Sequence, residues 1–276
     1  MKKRVISVIV FLSIAAALLL IDCTTRMLFV LICGCICCHD MTNALNKLGH
    51  RATPIFGYLF VLANCLLIYL DSLDLLEASD LHFPILLILI FAALSVSIFT
   101  EKYNPTDMLL SLALLIYPGM LFLMITQVLA APAPLWYMGI VCGAASAALC
   151  DTFALFGGMA FGKHKLAPRI SPKKTIEGSV CGLISAVVTG VILFFIFKKT
   201  GIVIPVWGYM AISAVSSTLG QMGDLIASSF KRQAGIKDYS NLIPGHGGMM
   251  DRLDSHLFAI PVAYYMIQLF LSLPVK

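Results

Sequence analysis

Charge is scarce in this chain of 276 residues: Asp, Glu, Lys and Arg together make up 12% of it, against 60% hydrophobic residues and a mean hydropathy of +0.95. Soluble domains are about 45–50% apolar, so this composition excludes an ordinary water-soluble fold. The sequence also has no internal repeat, no low-complexity tract and no linker long enough to divide it. One integral domain over 1–276 is therefore expected, with helical spans in 1–134 and the polar, chemistry-bearing loops in 135–276. No small-x-small site follows the first apolar run, where Ile21-Asp22-Cys23-Thr24 stands. An uncleaved first helix is accordingly expected in place of a signal peptide. The nine cysteines are odd in number and lie mostly within apolar runs, so no disulfide framework is implied. Cys33–His39 contains C-x-x-C-H, the spacing of haem attachment, but that chemistry belongs on the oxidising side of a membrane and this cluster is expected at a cytoplasmic end.

What is present is a series of long apolar runs: Val5–Ile21, Ile55–Leu70, Phe83–Phe99, Met108–Ala130, Leu135–Gly158, Gly178–Phe197 and His256–Leu273. Each is about long enough to cross a bilayer. Val206–Met222 is interrupted by Gly and Ser, and Met27–Cys38 is short enough either to extend or to lie at the interface. The expected fold is all-α and polytopic, with about nine transmembrane helices. With the N-terminus in the cytoplasm, every Lys and Arg except Arg26, Lys198, Lys199 and Lys276 falls on the cytoplasmic side. Segment 71–82, with four acids and no base, then lies outside.

Function must reside in the polar segments and in charges stranded within spans. Asp151 and Asp224 are two such charges, and an ionised group in a span usually faces a polar cavity; a helix-end Asp reaching the headgroups is the alternative, equally open for Asp151. Gly220, Gly223, Ala227, Ser228 and Ser229 around Asp224 leave room for a ligand or a close helix. In FGKHKLAPRISPKKTIEG (161–178), Ser171-Pro172 reads as a helix start, with Ser171 as N-cap and Pro172 at the first helical position. Lys173 and Lys174 would then lie in a first turn where the helix dipole is already positive, a placement that an anion would relieve. A plain topogenic role for these lysines remains the alternative.

The densest polar segment is 228–254, which holds Lys231, Arg232, Lys237, Asp238, Arg252 and the turn Pro244-Gly245-His246-Gly247-Gly248. Glycines there let backbone amides approach an anion. Helix is expected to resume near Met249, putting Asp251 and Asp254 on one face. With Asp224 they make a candidate metal set, because Mg²⁺ takes one or two carboxylates and completes its shell with water and phosphate oxygens. Lys231, Arg232 and Arg252 are candidate phosphate partners. Ser171, Lys173, Lys174, Lys237, Gly247, Gly248 and His246 are candidate nucleotide contacts, with a structural role equally open for His246.

Ser229-Phe-Lys-Arg, Lys237-Asp238, Ile243-Pro-Gly-His-Gly-Gly and Asp251-Arg-Leu-Asp254 together resemble the signature of the phosphatidate cytidylyltransferases, or CDP-diacylglycerol synthases. Asp151-Thr152, Phe161-Gly-Lys-His-Lys-Leu-Ala-Pro, Ser171-Pro-Lys-Lys-Thr and Glu177-Gly178 extend the resemblance through the C-terminal half. Ile176 departs from it where an aromatic is frequent, and Met159 where a basic residue is common. The resemblance implies that CTP and phosphatidic acid give CDP-diacylglycerol and pyrophosphate. It further implies Mg²⁺ dependence with room for a second cation, monovalent or divalent, and a homodimer. A short N-terminus without an Arg- and Ser-rich leader favours the cytoplasmic membrane of a bacterium over an organelle. Membrane lipid is an expected partner and nucleic acid is not. Two other readings stay open on the sequence: a CTP-dependent polyprenol kinase, and an anion or lipid transporter.

Overall fold

The computed structural model of the chain describes residues 17–77, 80–242 and 247–273. Its elements are α1 (Cys23–Lys47), α2 (Ile55–Asp71), α3 (His82–Phe99), α4 (Pro105–Leu114), a π-helical turn (Leu115–Met120) and α5 (Leu121–Ala130). They continue with α6 (Leu135–Phe161), a hairpin of β1 (Lys165–Ala167) and β2 (Ser171–Thr175), α7 (Ile176–Phe197), α8 (Val206–Gln233), α9 (Met250–Leu253) and α10 (His256–Ser272).

Helix limits follow the apolar runs closely. Among the described residues, five helical stretches are long and apolar enough to cross a membrane, and α2 and α10 are shorter apolar helices. The expected span Val5–Ile21 lies mostly outside the described residues. The short run Met27–Cys38 proves to be the centre of a 25-residue helix, because Asp22 caps it through a reciprocal pair of hydrogen bonds with Thr25 and the polar residues after Cys38 continue the turns. In α3 only 6% of the apolar window is buried, the condition of a helix whose surroundings are hydrocarbon.

By internal packing the chain divides into two compact units: residues 1–130 with 230–252, and residues 131–229 with 253–276. In the first, α1 lies against α2, with Phe60, Met41, Leu45, Met108 and Phe122 fully buried. Pro118 interrupts the helical ladder between α4 and α5, where Tyr117 leaves helical geometry. In the second, α6 packs along α7 and α10. A Cβ on Gly143 of α6 would stand 2.5 Å from the Cα of Ile260 in α10, so only glycine permits that helix approach. Met138, Cys142, Leu193, Tyr209, Ile212, Ala263 and Ile267 form the core of this unit.

Candidate active site

The second unit carries the hairpin, and its local chemistry differs from the expected helix start at Ser171. Residues 171–175 are a strand, with Ala167 opposite Ser171 and Lys165 opposite Thr175. Both strands of a two-stranded ribbon are edges, so the missing N–H of Pro172 is tolerated there. The cap of α7 is Thr175, whose hydroxyl accepts the Gly178 N–H at 3.1 Å. Glu177 in the first turn accepts the backbone N–H groups of Lys163 and His164 and meets His164 Nδ1 at 2.6 Å. These bonds tie the entry of the hairpin to the start of the helix. Lys173 and Lys174 are consequently strand residues one step before the helix, and not members of its first turn.

A cavity of about 660 Å³ opens beside the hairpin. Its ionisable lining consists of Asp151 from α6, Lys165 from β1, Lys173 and Lys174 from β2, and Asp224 from α8. Thr175, Ser179 and Gln221 add polar groups, and Ala154, Leu155, Met159 and Leu166 supply apolar wall. Lys174 Nζ lies 2.6 Å from Asp224 Oδ2, and Ser228 Oγ donates to Asp224 Oδ1 at 3.2 Å. Three lysines against two aspartates suit a polyanion that arrives with a cation. The two span aspartates singled out in the sequence thus share one cavity. Ser171 lies on the same strand but does not line it.

The first unit holds the other dense motif. Asp251 is its hub: Oδ1 takes the buried Lys231 ammonium at 2.7 Å, and Oδ2 accepts the N–H groups of Tyr239 at 2.8 Å and Gly248 at 2.9 Å. The anion that the Gly248 amide meets is therefore the chain's own carboxylate. Gly247 takes a positive φ of 85°, where glycine is favoured. Lys231 Nζ also sits 5.5 Å from the centre of the Tyr239 ring. Arg232, Lys237 and Arg252 are exposed, with Arg232 donating to the Ile236 carbonyl at 3.1 Å. His246 lies outside the described residues.

Asp254, in the second unit, accepts the Ser255 N–H at 2.8 Å and does not line the cavity. It stands in the turn after α9, which is a single turn ending at Leu253, so Asp251 and Asp254 do not share one continuous helix as the sequence suggests. The physical reason is that Asp254 bonds the amide of the next residue, a local competitor of the helical ladder.

Asp40 escaped the sequence reading. It is a buried carboxylate on α1 that accepts the Met250 N–H at 3.2 Å and so supports the residue beside Asp251. The available signal was weaker than for Asp151 and Asp224, which stand within spans: Asp40 lies just past the end of the run Met27–Cys38. Ser179 and Gln221, neutral and unremarkable in sequence, were also missed.

Among the described residues, no three His, Cys, Asp or Glu side chains gather closely enough to enclose a metal on their own. The donors at the cavity, Asp151 and Asp224, fit a magnesium ion that draws the rest of its shell from phosphate and water.

Comparison with known proteins agrees with this chemistry. The sequence model of the cytidylyltransferase family matches residues 2–270. A phosphatidate cytidylyltransferase of Staphylococcus haemolyticus is 32% identical over 272 residues, covering 95% of this chain and 97% of that protein. One from Bacillus subtilis is 42% identical over 120 residues, 44% of each chain, and one from Staphylococcus aureus is 44% identical over 115 residues, 41% of this chain and 43% of its own. With one family model running nearly end to end and a relative aligned over almost its whole length, the chain belongs to the cytidylyltransferase family.

Proposed function

We propose that this chain transfers the CMP group of CTP to phosphatidic acid, forming CDP-diacylglycerol and releasing pyrophosphate. The observation that carries this reading is the cavity in which Lys165, Lys173 and Lys174 face Asp151 and Asp224 among apolar helices. Family membership and the relatives named phosphatidate cytidylyltransferase support it. A phosphate oxygen of the lipid attacks the α-phosphorus of CTP, the new O–P bond forms, and the bond to the β-phosphate bridging oxygen breaks with its electron pair leaving on pyrophosphate. The nucleophile is already anionic, so no strong general base is required. Catalysis rests on positioning and on offsetting the repulsion of two polyanions.

Lys165, Lys173 and Lys174 hold phosphate oxygens. Asp224 and Asp151 would hold a magnesium ion at the cavity, which would supply charge neutralisation to the phosphates; Asp251 and Asp254, which do not line it, are proposed as further carboxylates for a cation. In the arrangement described here Asp251 already accepts three protein donors, so its contribution to the metal would be through remaining lone pairs or through fixing Lys231. Arg232 and Arg252, being exposed, are proposed to meet outer phosphate charge, with Lys237, His246, Gly247 and Gly248 as proposed nucleotide contacts. The distribution of Lys and Arg supports an active site facing the cytoplasm of a bacterial cell membrane. A homodimer is proposed from the family resemblance.

The test is direct. Purified protein in detergent receives phosphatidic acid, Mg²⁺ and CTP labelled separately at the α- and γ-phosphates. Label from the α-position entering lipid, with γ-label leaving as pyrophosphate, is the expected result. Transfer of γ-label to lipid would instead identify a kinase, and no transfer in either position would remove the enzymatic reading.

A further inference from the structure

Next to the polar cavity, a groove of about 230 Å³ runs between α7 and α8. The two helices touch tightly further along, where a Cβ on Gly190 would stand 2.5 Å from the Tyr209 carbonyl oxygen. Near the start of α7 they are joined by the Ser179 hydroxyl, which donates to the Gln221 side-chain carbonyl. The groove is walled by Val180 and Leu183 of α7 and by Met222 and Leu225 of α8. Val180 and Met222 are each 51% exposed and Leu183 38%, so their apolar surface is available to a ligand.

Leu166, Ser179 and Gln221 line both the groove and the cavity, so the two spaces adjoin. The change in lining is abrupt. On one side are three lysines and two aspartates; on the other are aliphatic side chains with Thr218 as the polar exception. The junction is polar but uncharged, and Gln221 is itself anchored by donating its amide to Cys150 Sγ at 2.9 Å. A molecule with a phosphate head, a neutral ester linkage and a hydrocarbon tail presents the same order of polarity along its length. Apolar surface in such a groove is recognised through burial, and polar groups at its end fix the register.

We propose that this groove receives one acyl chain of the phosphatidic acid whose phosphate occupies the cavity, with Ser179 and Gln221 at the level of the glycerol ester. The inference rests on the proposed activity for the identity of the headgroup. It makes Val180, Leu183, Met222 and Leu225 determinants of chain recognition.

Two measurements judge it. The unsubstituted protein, in phosphatidylcholine nanodiscs, is photolabelled with phosphatidic acid carrying a diazirine on one acyl chain, and in parallel with phosphatidylcholine carrying the same chain. The expected result is labelling of peptides holding Val180, Leu183, Met222 or Leu225 by the phosphatidic acid, about tenfold above the phosphatidylcholine control and competed by unlabelled phosphatidic acid. Equal labelling by both lipids would make the groove a seat for bulk bilayer lipid and overturn the proposal, as would labelling confined to other helices. Leu183→Trp should then raise the KM for dioleoyl phosphatidic acid about tenfold more than the KM for dihexanoyl phosphatidic acid. A parallel change for both chain lengths would also overturn it. If the unsubstituted enzyme forms no CDP-lipid from either substrate, the activity reading fails instead, and the labelling contrast still decides whether the groove is a lipid site.

Discussion

Lys174 and Asp224 form an ion pair, Nζ to Oδ2 at 2.6 Å, between strand β2 and helix α8 on the wall of one cavity. Each side chain is about a quarter exposed, at 24% and 27%, so the pair is screened enough to exchange partners. A magnesium–nucleotide complex offers both replacements together: a cation for the aspartate and a phosphate for the lysine. Lys174→Met and Asp224→Asn should each lower kcat/KM for CTP by about 100-fold or more, and the double variant should lose little beyond the worse single change. Steady-state kinetics on the three variants check this; losses that multiply would show that the two residues act separately.

The neighbouring lysine gives a complementary test. Lys173 is exposed and lines the same cavity. The Lys173→Ala/Lys174→Ala variant should weaken apparent CTP affinity by about tenfold or more, since charge-assisted phosphate contacts are lost. An unchanged KM for CTP, with normal membrane insertion, would assign these lysines to topology alone.

Asp251 has a structural duty that the sequence did not disclose. It neutralises a buried lysine and accepts two backbone amides. Asp251→Asn should therefore lose turnover and also lower stability by about 3–5 kcal/mol, the range for an uncompensated buried charge. Removing the lysine as well, in Lys231→Met/Asp251→Asn, should recover part of the stability without restoring activity. Thermal unfolding in detergent, read beside the label-transfer assay, separates the two effects. A variant at Asp251 that unfolds normally would mean that the Lys231 contact contributes little.

Much of this architecture was legible in the chain, and the exceptions have physical causes. Helix limits such as Ile55, Phe99, Leu135 and Phe197 coincide with the edges of apolar runs because the bilayer sets their length. Asp224 could be read as a cavity residue because charge is costly in a span, whereas for Asp151 a place at headgroup level was equally open until the cavity placed it. Residues 171–175 could not be read, since Ser-Pro is equally a helix start and an edge-strand pair, and the choice was made by Thr175 and by the bonds from Glu177 back to Lys163 and His164. The one-turn α9 was likewise decided by a hydrogen bond of Asp254 to its own neighbour. Asp40 contacts a residue more than two hundred positions away, and no local pattern encodes such a pairing.

That distant contact carries the last prediction. Asp40 is 1% exposed, and its Oδ2 accepts the Met250 N–H at 3.2 Å. A Cβ on Gly248 would collide with the same carboxylate, so the backbone of 247–250 lies directly against it. Removing the acceptor leaves a buried amide unsatisfied, at a cost of about 1–3 kcal/mol. Because the bond ends one residue before Asp251, the loss should be felt locally before it is felt globally. Asp40→Ala should speed amide hydrogen exchange in the peptide spanning 247–253 while leaving exchange in α6 and α7 unchanged. Asp40→Asn retains a carbonyl acceptor and should fall between the alanine variant and the unsubstituted protein. Uniformly faster exchange across all helices would show that Asp40 supports the fold in general, and unchanged exchange in 247–253 would show that it does not hold this segment at all.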